Sequence, residues 1–243
     1  MEMSRVRGTT MVLVVIVGAL LLWNSNLSKA SAEQRQTMRD KERVMLVGAS
    51  IGQEWNLQKL PQRLKDDNHT YESVAAWQYD KTEALNEILM RPKRKFHFTR
   101  TYFIGFLQPA PQLPNIIIMK ECASYFPGDL SAYQELMKKW VERIRRAQIQ
   151  VVLATVVPVT HERAAKRAGQ IEAIWKYNDW VREYAKKEGL VILDLEKSLR
   201  KSARERFLQD DLTSGDGQHL NKKAYDILDT LLVKTLNNKI SMP

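Results

Sequence analysis

Four short, almost wholly apolar runs constrain how this chain can fold: Val44-Met45-Leu46-Val47, Ile116-Ile117-Ile118-Met119, the stretch from Val151 to Val157, and Val191-Ile192-Leu193-Asp194-Leu195. Each is shorter than an ordinary helix, rich in β-branched residues, and without the strict alternation of a half-solvated strand. Such runs read as strands buried on both faces. Pro158 stops the third. Amphipathic patterns separate the last three. Leu130, Tyr133, Leu136, Trp140, Val141 and Ile144 share one helical face, as do Ile171, Ile174, Trp175, Val181 and Tyr184. A last helix carries Leu220, Ala224, Ile227, Leu228, Leu231 and Leu232, with Asn221 as its expected cap. Buried strands alternating with amphipathic helices predict an α/β domain with a mainly parallel sheet covered on both faces. Tyr71 to Trp77 is a further candidate strand. Phe96 to Leu107 is aromatic-rich and fits this scheme poorly, as an inserted hairpin or a flap.

Ligands of open parallel sheets bind outside the carboxyl ends of the strands, and two polar features fall there. Ser50 directly follows the first run, in Val47-Gly48-Ala49-Ser50-Ile51-Gly52. A serine between a strand and a nascent helix can point its hydroxyl into the crevice, with helix N–H groups nearby to meet an oxyanion. Gly-x-Ser after a strand is also a common turn. The second feature is Ser214-Gly215-Asp216-Gly217-Gln218-His219-Leu220-Asn221, before the last helix. A serine hydroxyl needs a base to take its proton. Histidine is such a base once a partner sets its tautomer, and an aspartate three residues earlier, across a glycine, can orient the ring. By itself the segment reads equally as a turn and a helix cap.

In combination the two features resemble the SGNH/GDSL hydrolases. Val47 to Gly52 is similar to that family's first block, usually centred on Gly-Asp-Ser, and Asp216-Gly-Gln-His219-Leu-Asn221 is similar to its last, usually Asp-Gly-x-His-Pro-Asn. The resemblance spans roughly residues 43–236. It implies a three-layer α/β/α domain of flavodoxin-like type and hydrolysis of esters in lipids or acylated carbohydrates. The matched residues carry over as Ser50 nucleophile, His219 base and Asp216 orienting acid, with no organic cofactor and no metal required. The middle blocks depart from the family. Val74 to Asp80 lacks the glycine that follows the family's second strand, and Lys120-Glu121-Cys122-Ala123-Ser124-Tyr125 lacks the asparagine that follows its third. The loss of one oxyanion donor costs roughly 100-fold or more in rate. Gly52, Lys120, Cys122, Ser124 or a backbone N–H is the candidate substitute. An ionised Glu121 has the wrong sign for that task and is expected to pair with Lys120 or a nearby arginine or, because neighbouring side chains on a strand point to opposite faces, with a distant arginine or lysine unless the segment leaves the strand before Glu121.

Other residues read more plainly. Asp210, Asp211, Asp216 and His219 could gather round a metal, but no distant ligand cluster supports this. His161 follows the third strand and could touch substrate; a solvated loop position suits it better. His69 and His97 have no motif around them. Cys122 is the only cysteine, which excludes an intrachain disulfide.

The amino terminus reads as an address. Arg5 and Arg7 precede an apolar run from Met11 to Trp23, and Ala30-Ser31-Ala32 follows. The run falls short of the roughly 20 residues a membrane span needs and suits the core of a signal peptide with an A-x-A-like cleavage site. An uncleaved anchor is the competing reading. Residues 1–32 are thus expected to export or anchor the chain, 33–42 to be a polar tether, and 43–243 to fold as the hydrolase-like domain. The location implied is periplasmic, cell-envelope or secreted. The formal net charge of +10 favours anionic surfaces, a membrane surface among them. The basic residues are scattered, with Arg91 to Lys95 and Lys138 to Arg146 as the densest stretches. No nucleic-acid motif accompanies them. The chain reads as an exported serine ester hydrolase or acyl transferase acting on an acylated glycan or another cell-envelope ester. The alternative is a catalytically weak binding or assembly protein on the same fold.

Overall fold

The structure, a computed structural model, describes residues 41–90 and 113–240. The predicted address segment, its tether up to residue 40, Arg91 to Lys95, His97 and the Phe96–Leu107 stretch lie outside the described residues.

Five parallel strands form one sheet in the order β2-β1-β3-β4-β5, the flavodoxin-like order expected of the resemblance. They are β1 (Glu42–Gly48), β2 (His69–Ala75), β3 (Ile116–Lys120), β4 (Gln150–Ala154) and β5 (Val191–Leu193). Every residue of the central β3 is buried, and its neighbours β1 and β4 are buried along most of their length. The edge strand β2 mixes buried and half-buried residues. That gradient explains why the central strands are continuous apolar runs while β2 is written with polar residues.

Met45, Val47, Ile117, Met119, Val151 and Leu153 face one core layer. Two long helices cover it: α4 (Leu130–Arg146) through Met137, Trp140, Val141 and Ile144, and α6 (Gln170–Glu188) through Ile171, Ile174, Tyr177 and Val181. Val44, Leu46, Ile116, Ile118, Val152 and Ala154 face the other layer, covered by α8 (Lys222–Ile240) through Ala224, Leu228, Leu232 and Leu236. Shorter helices are α1 (Ser50–Glu54), α2 (Leu60–Leu64), α3 (Thr82–Met90), α5 (His161–Ala165) and α7 (Leu195–Leu199). The expected cap forms, with Asn221 accepting from Ala224 N at 3.1 Å, and Asp129 caps α4 in the same way, accepting from Ala132 N at 3.0 Å.

Two strand ends fall earlier than the apolar runs suggest. The ladder of β4 ends at Ala154, although Thr155, Val156 and Val157 are equally buried. The Asn178 side chain takes both backbone groups of Val156, at 2.7 and 2.9 Å, so this segment leaves the sheet without losing its hydrogen bonds. β5 ends at Leu193 because Asp194 turns to cap α7, accepting from Lys197 N. Two charges of the dense basic stretch on α4 are paired within the helix, Lys138 with Glu135 and Arg146 with Glu142. Among the described residues no helix is long and apolar enough to cross a membrane.

Candidate active site

Ser50 is the first residue of α1, two positions past the end of β1, and is half-buried. The chain reaches it through a tight passage. A Cβ on Gly48 would lie 3.2 Å from Leu46 Cδ2 and 3.4 Å from the Lys120 carbonyl oxygen, and one on Gly52 would lie 2.6 Å from Leu46 Cδ2. Glycine at these two positions lets the first turn of α1 lie close on the end of β1. The first backbone bond that closes onto this turn is Gln53 N to Ala49 O, at 3.2 Å. The N–H groups of Ser50, Ile51 and Gly52 precede it, where a helix has no partner four residues back.

The Asp-x-x-His segment is a tight loop entering α8. Its base is closed by Ser214 N to His219 O at 2.9 Å and Asn221 N to Leu212 O at 3.0 Å. Thr213 Oγ1 accepts from the N–H groups of Gly215 and Gly217. Gly215 and Gly217 have φ of +117° and +76°, values that residues with a Cβ rarely adopt. The loop folds Asp216 under His219. One carboxylate oxygen accepts from Gln218 N and His219 N at 2.9 and 2.8 Å, and the other lies 2.6 Å from His219 Nδ1. Partial burial works to raise the Asp216 pKa, but those hydrogen bonds outweigh it and hold the carboxyl at about 2. The other ring nitrogen, His219 Nε2, lies 3.2 Å from Ser50 Oγ. Three side chains from opposite ends of the sequence therefore form one line, carboxylate to imidazole to hydroxyl.

The remaining candidates fall differently. Gly52 lies in the first turn of α1 beside Ser50. Lys120, Glu121 and Cys122 have buried side chains, at 1%, 0% and 3% exposure, and so cannot offer them to a substrate as oxyanion donors. The Lys120 ammonium donates to the Glu121 carbonyl at 3.1 Å, and burial pushes its pKa below the ordinary lysine value. Nor does Glu121 pair with Lys120 or with an arginine: its carboxylate accepts from Lys81, forty positions earlier. β3 ends at Lys120, and Glu121, the first residue beyond it, meets a distant lysine from a different loop, one of the partners the sequence allowed. Ser124 is exposed, and its hydroxyl donates to Cys122 Sγ at 3.1 Å. The two positions where the family's asparagine could have aligned, Cys122 and Ala123, are both buried.

His161 begins α5, exposed, its ring 5.0 Å from that of Phe207. His69 is buried at the amino end of β2, the edge opposite the crevice, with Nδ1 3.0 Å from Asp66. The four candidates for a metal site do not converge. Asp210 pairs with Lys201, Asp211 with Lys223, and Asp216 with His219. Among the described residues no group of three or more His, Cys, Asp or Glu could hold a metal ion.

Two contacts at the site have no signature in the sequence. One is the Lys81–Glu121 pair. The other joins the exit of β4 to the histidine loop through Thr160 N and the Gly217 carbonyl, 2.9 Å apart. Both depend on residues distant in sequence, and only the glycine in Asp-Gly-x-His hints at the second.

Comparison with known proteins supports this fold. Residues 124–227 match the model of the GDSL-like Lipase/Acylhydrolase family. That stretch contains Asp216 and His219 but not Ser50. Among curated proteins none matches the chain. Among solved structures, a GDSL-like lipase from Bacteroides thetaiotaomicron is similar at a TM-score of 0.59 and 15% identity, over 83% of this chain and 90% of that one. A lipase/acylhydrolase from Enterococcus faecalis gives 0.55 and 16%, over 82% and 96%. A member of the lipolytic G-D-S-L family from Veillonella parvula gives 0.55 and 11%, over 81% and 98%. At such identities the structures speak for the fold, and the family model speaks for the sequence of the second half. On both grounds the chain is similar to the SGNH/GDSL hydrolases: residues 124–227 match the family of GDSL-like lipases and acylhydrolases, and the fold is the one these solved structures share.

Proposed function

We propose that this chain is an exported serine ester hydrolase or acyl transferase in which Ser50 is the nucleophile, His219 the general base and Asp216 the group that orients and stabilises the imidazole. The observation that carries the reading is the position of the His219 ring, 2.6 Å from Asp216 on one nitrogen and 3.2 Å from Ser50 Oγ on the other. Asp216 accepts from Nδ1, which leaves the Nε2 lone pair facing the hydroxyl.

Ser50 Oγ attacks the acyl carbon of an ester while its proton passes to His219 Nε2. The imidazolium is stabilised by the Asp216 carboxylate. Negative charge collects on the former carbonyl oxygen, which faces the free N–H groups of the first turn of α1, Gly52 included. On collapse, the bond to the alcohol oxygen breaks and His219 returns the proton to that oxygen. An acyl group is left on Ser50. Water attacking the acyl carbon, with His219 again as base, completes hydrolysis; a sugar hydroxyl in place of water completes a transfer.

The substrate proposed is an ester of the cell envelope, either an acylated glycan or a lipid. Its support is the amino-terminal pattern of Arg5, Arg7, Met11–Trp23 and Ala30-Ser31-Ala32, together with the net charge of +10, which suits an anionic surface. Because no asparagine follows β3, we propose a slow enzyme with a narrow substrate range. A second reading, a binding or assembly protein without fast chemistry, draws on the same absence and on the buried side chains of Lys120, Glu121 and Cys122.

A fluorophosphonate probe separates the two readings, because it reports an activated serine with some oxyanion stabilisation. Labelling of the parent and none of Ser50→Ala, at a melting temperature within a few degrees, is the result expected of the enzyme. An unlabelled parent supports the binding protein, and a labelled Ser50→Ala removes Ser50 as nucleophile.

A further inference from the structure

Lys81 and Glu121 form an ion pair in which neither side chain is open to solvent, and the acyl-transfer scheme uses neither. Lys81 closes the turn between β2 and α3. Its ammonium donates to the Glu121 carboxylate, to Tyr79 O at 3.2 Å and to Gln78 O at 3.4 Å. It also lies 5.2–5.8 Å from the ring centroids of Tyr125, Tyr79 and Trp140. Glu121 is the first residue beyond β3. A second tie runs in parallel: the Tyr125 hydroxyl, also beyond β3, donates to Ala76 O, just beyond β2, at 3.0 Å.

The sheet order is β2-β1-β3 at this side. The exits of β2 and β3 therefore flank the exit of β1, where Ser50 stands, and both ties join one flank to the other. Stability is a poor reason for the ion pair. Two charges taken out of water recover their desolvation only with full hydrogen bonding, and apolar replacements are often as stable. Here Glu121 Oε1 is buried with no partner, which adds to the cost. Geometry is a better reason. Ser50 stands at the exit between these two, and the side chains of Lys120, Glu121 and Cys122 at the flanking exit are buried. Backbone N–H groups of the flanking loops are then the candidate oxyanion donors. Such donors work only when the loops that carry them are correctly placed.

We propose that Lys81 and Glu121 are positioning residues that hold the exits of β2 and β3 at a set separation around Ser50, so that backbone N–H groups meet the oxyanion. The inference rests on the functional reading above. The ammonium grips three acceptors, two from its own turn and one from the opposite exit, so it fixes the shape of the first loop and its distance from the second together. Tyr125 repeats the link with a neutral bond.

The test compares the full chain with Lys81→Met/Glu121→Leu, in which the pair is replaced by apolar side chains and no lone buried charge remains. The readouts are melting temperature, kcat and KM with p-nitrophenyl acetate, and the rate of fluorophosphonate labelling. The expected result is a folded variant with kcat and labelling rate reduced about 100-fold, the scale of a small misplacement at a reacting centre, and KM within about threefold of the parent. A folded variant with the parent's kcat and labelling rate overturns the inference. If the double variant does not fold, Tyr125→Phe decides, since it removes one hydroxyl from the second tie. A kcat lowered several-fold at constant KM supports the proposal, and an unchanged kcat overturns it. A parent that neither turns over the ester nor labels refutes the functional reading, and the inference with it. An active parent with equally active variants refutes the inference alone.

Discussion

Thr160 and Gly217 interlock: the Thr160 N–H donates to the Gly217 carbonyl at 2.9 Å, and Thr160 Oγ1 lies only 2.5 Å from where a Gly217 Cβ would be. Thr160 caps α5 at the exit of β4, and Gly217 lies two residues before His219. The position of His219 is thus set partly by a strand exit to which it has no sequence link.

Gly217→Ala is expected to lower activity at least about tenfold. The added methyl meets Thr160 Oγ1 and, at 2.9 Å, Arg163 Cβ, and the backbone there has φ +76°. The left-handed conformation alone costs about 1–2 kcal/mol, and relief of the clash moves the histidine loop. Gly189→Ala is the control. It has φ +62° with nothing within 4 Å, at the end of α6, and should cost about 1 kcal/mol of stability without touching kcat. Equal kcat in the two variants would show that the Thr160 contact does not position the base.

Asp216 and His219 are expected to act as a unit. Removal of either should eliminate most of the activity, and the double variant should be little worse than His219→Ala, because members of such a unit are non-additive. Multiplicative losses would mean that Asp216 only shapes the loop. The pH profile carries the sign. A general base acts only while neutral, so activity is expected to fall on the acid side. Asp216, held at about 2, is ionised at any pH well above that value. A flat acid profile would remove the histidine base.

A second carboxylate cluster bears on stability. Glu196 is buried and accepts from Arg206, Arg182 and Asn178, while Asp194 accepts from Arg182 at 2.8 and 2.9 Å. Burial works to raise the pKa of both, but the hydrogen bonds and the guanidinium charges leave both below the ordinary values. A carboxyl whose folded pKa is depressed contributes stability that is present above its unfolded value, about 4, and lost as pH falls through the folded one. Acid melting should therefore begin below that value. Arg206→Met should cost about 1–3 kcal/mol at neutral pH and flatten the acid dependence. Unchanged melting across pH would show that the cluster does not contribute to folding.

The amino terminus yields a prediction independent of the fold. Native protein should begin at or near Glu33 if the Ala30-Ser31-Ala32 site is cut, and should be recovered outside the cytoplasm. Amino-terminal sequencing reads this directly. Intact Met1 in a membrane fraction supports the anchor, and intact Met1 in a soluble cytoplasmic fraction rejects both.

What the sequence determined by itself was whatever depends on neighbours along the chain. Apolar runs at Val44, Ile116 and Val151 specify strands buried on both faces, the run at Val191 becomes a half-buried edge strand, and helices with one apolar stripe must cover such a sheet. Asp216-Gly217-Gln218-His219 specifies its own loop, since an aspartate bonding N–H groups two and three residues on is a local act. The distance between that loop and Ser50 was not local. It was decided by packing β1 against β3 and α8 over the second core layer, which brings residues 169 positions apart to 3.2 Å. The partner of Glu121 was decided the same way. Its neighbour Lys120 is the nearest cation in sequence, but that ammonium donates to the Glu121 backbone carbonyl, and the tertiary fold delivers Lys81 to the carboxylate. The early end of β4 follows the same rule: Asn178, on a helix packed over the sheet, takes the hydrogen bonds of Val156 that a longer ladder would have used. Local periodicity writes the elements, and the placement of polar groups from distant elements decides where they end and what they can catalyse.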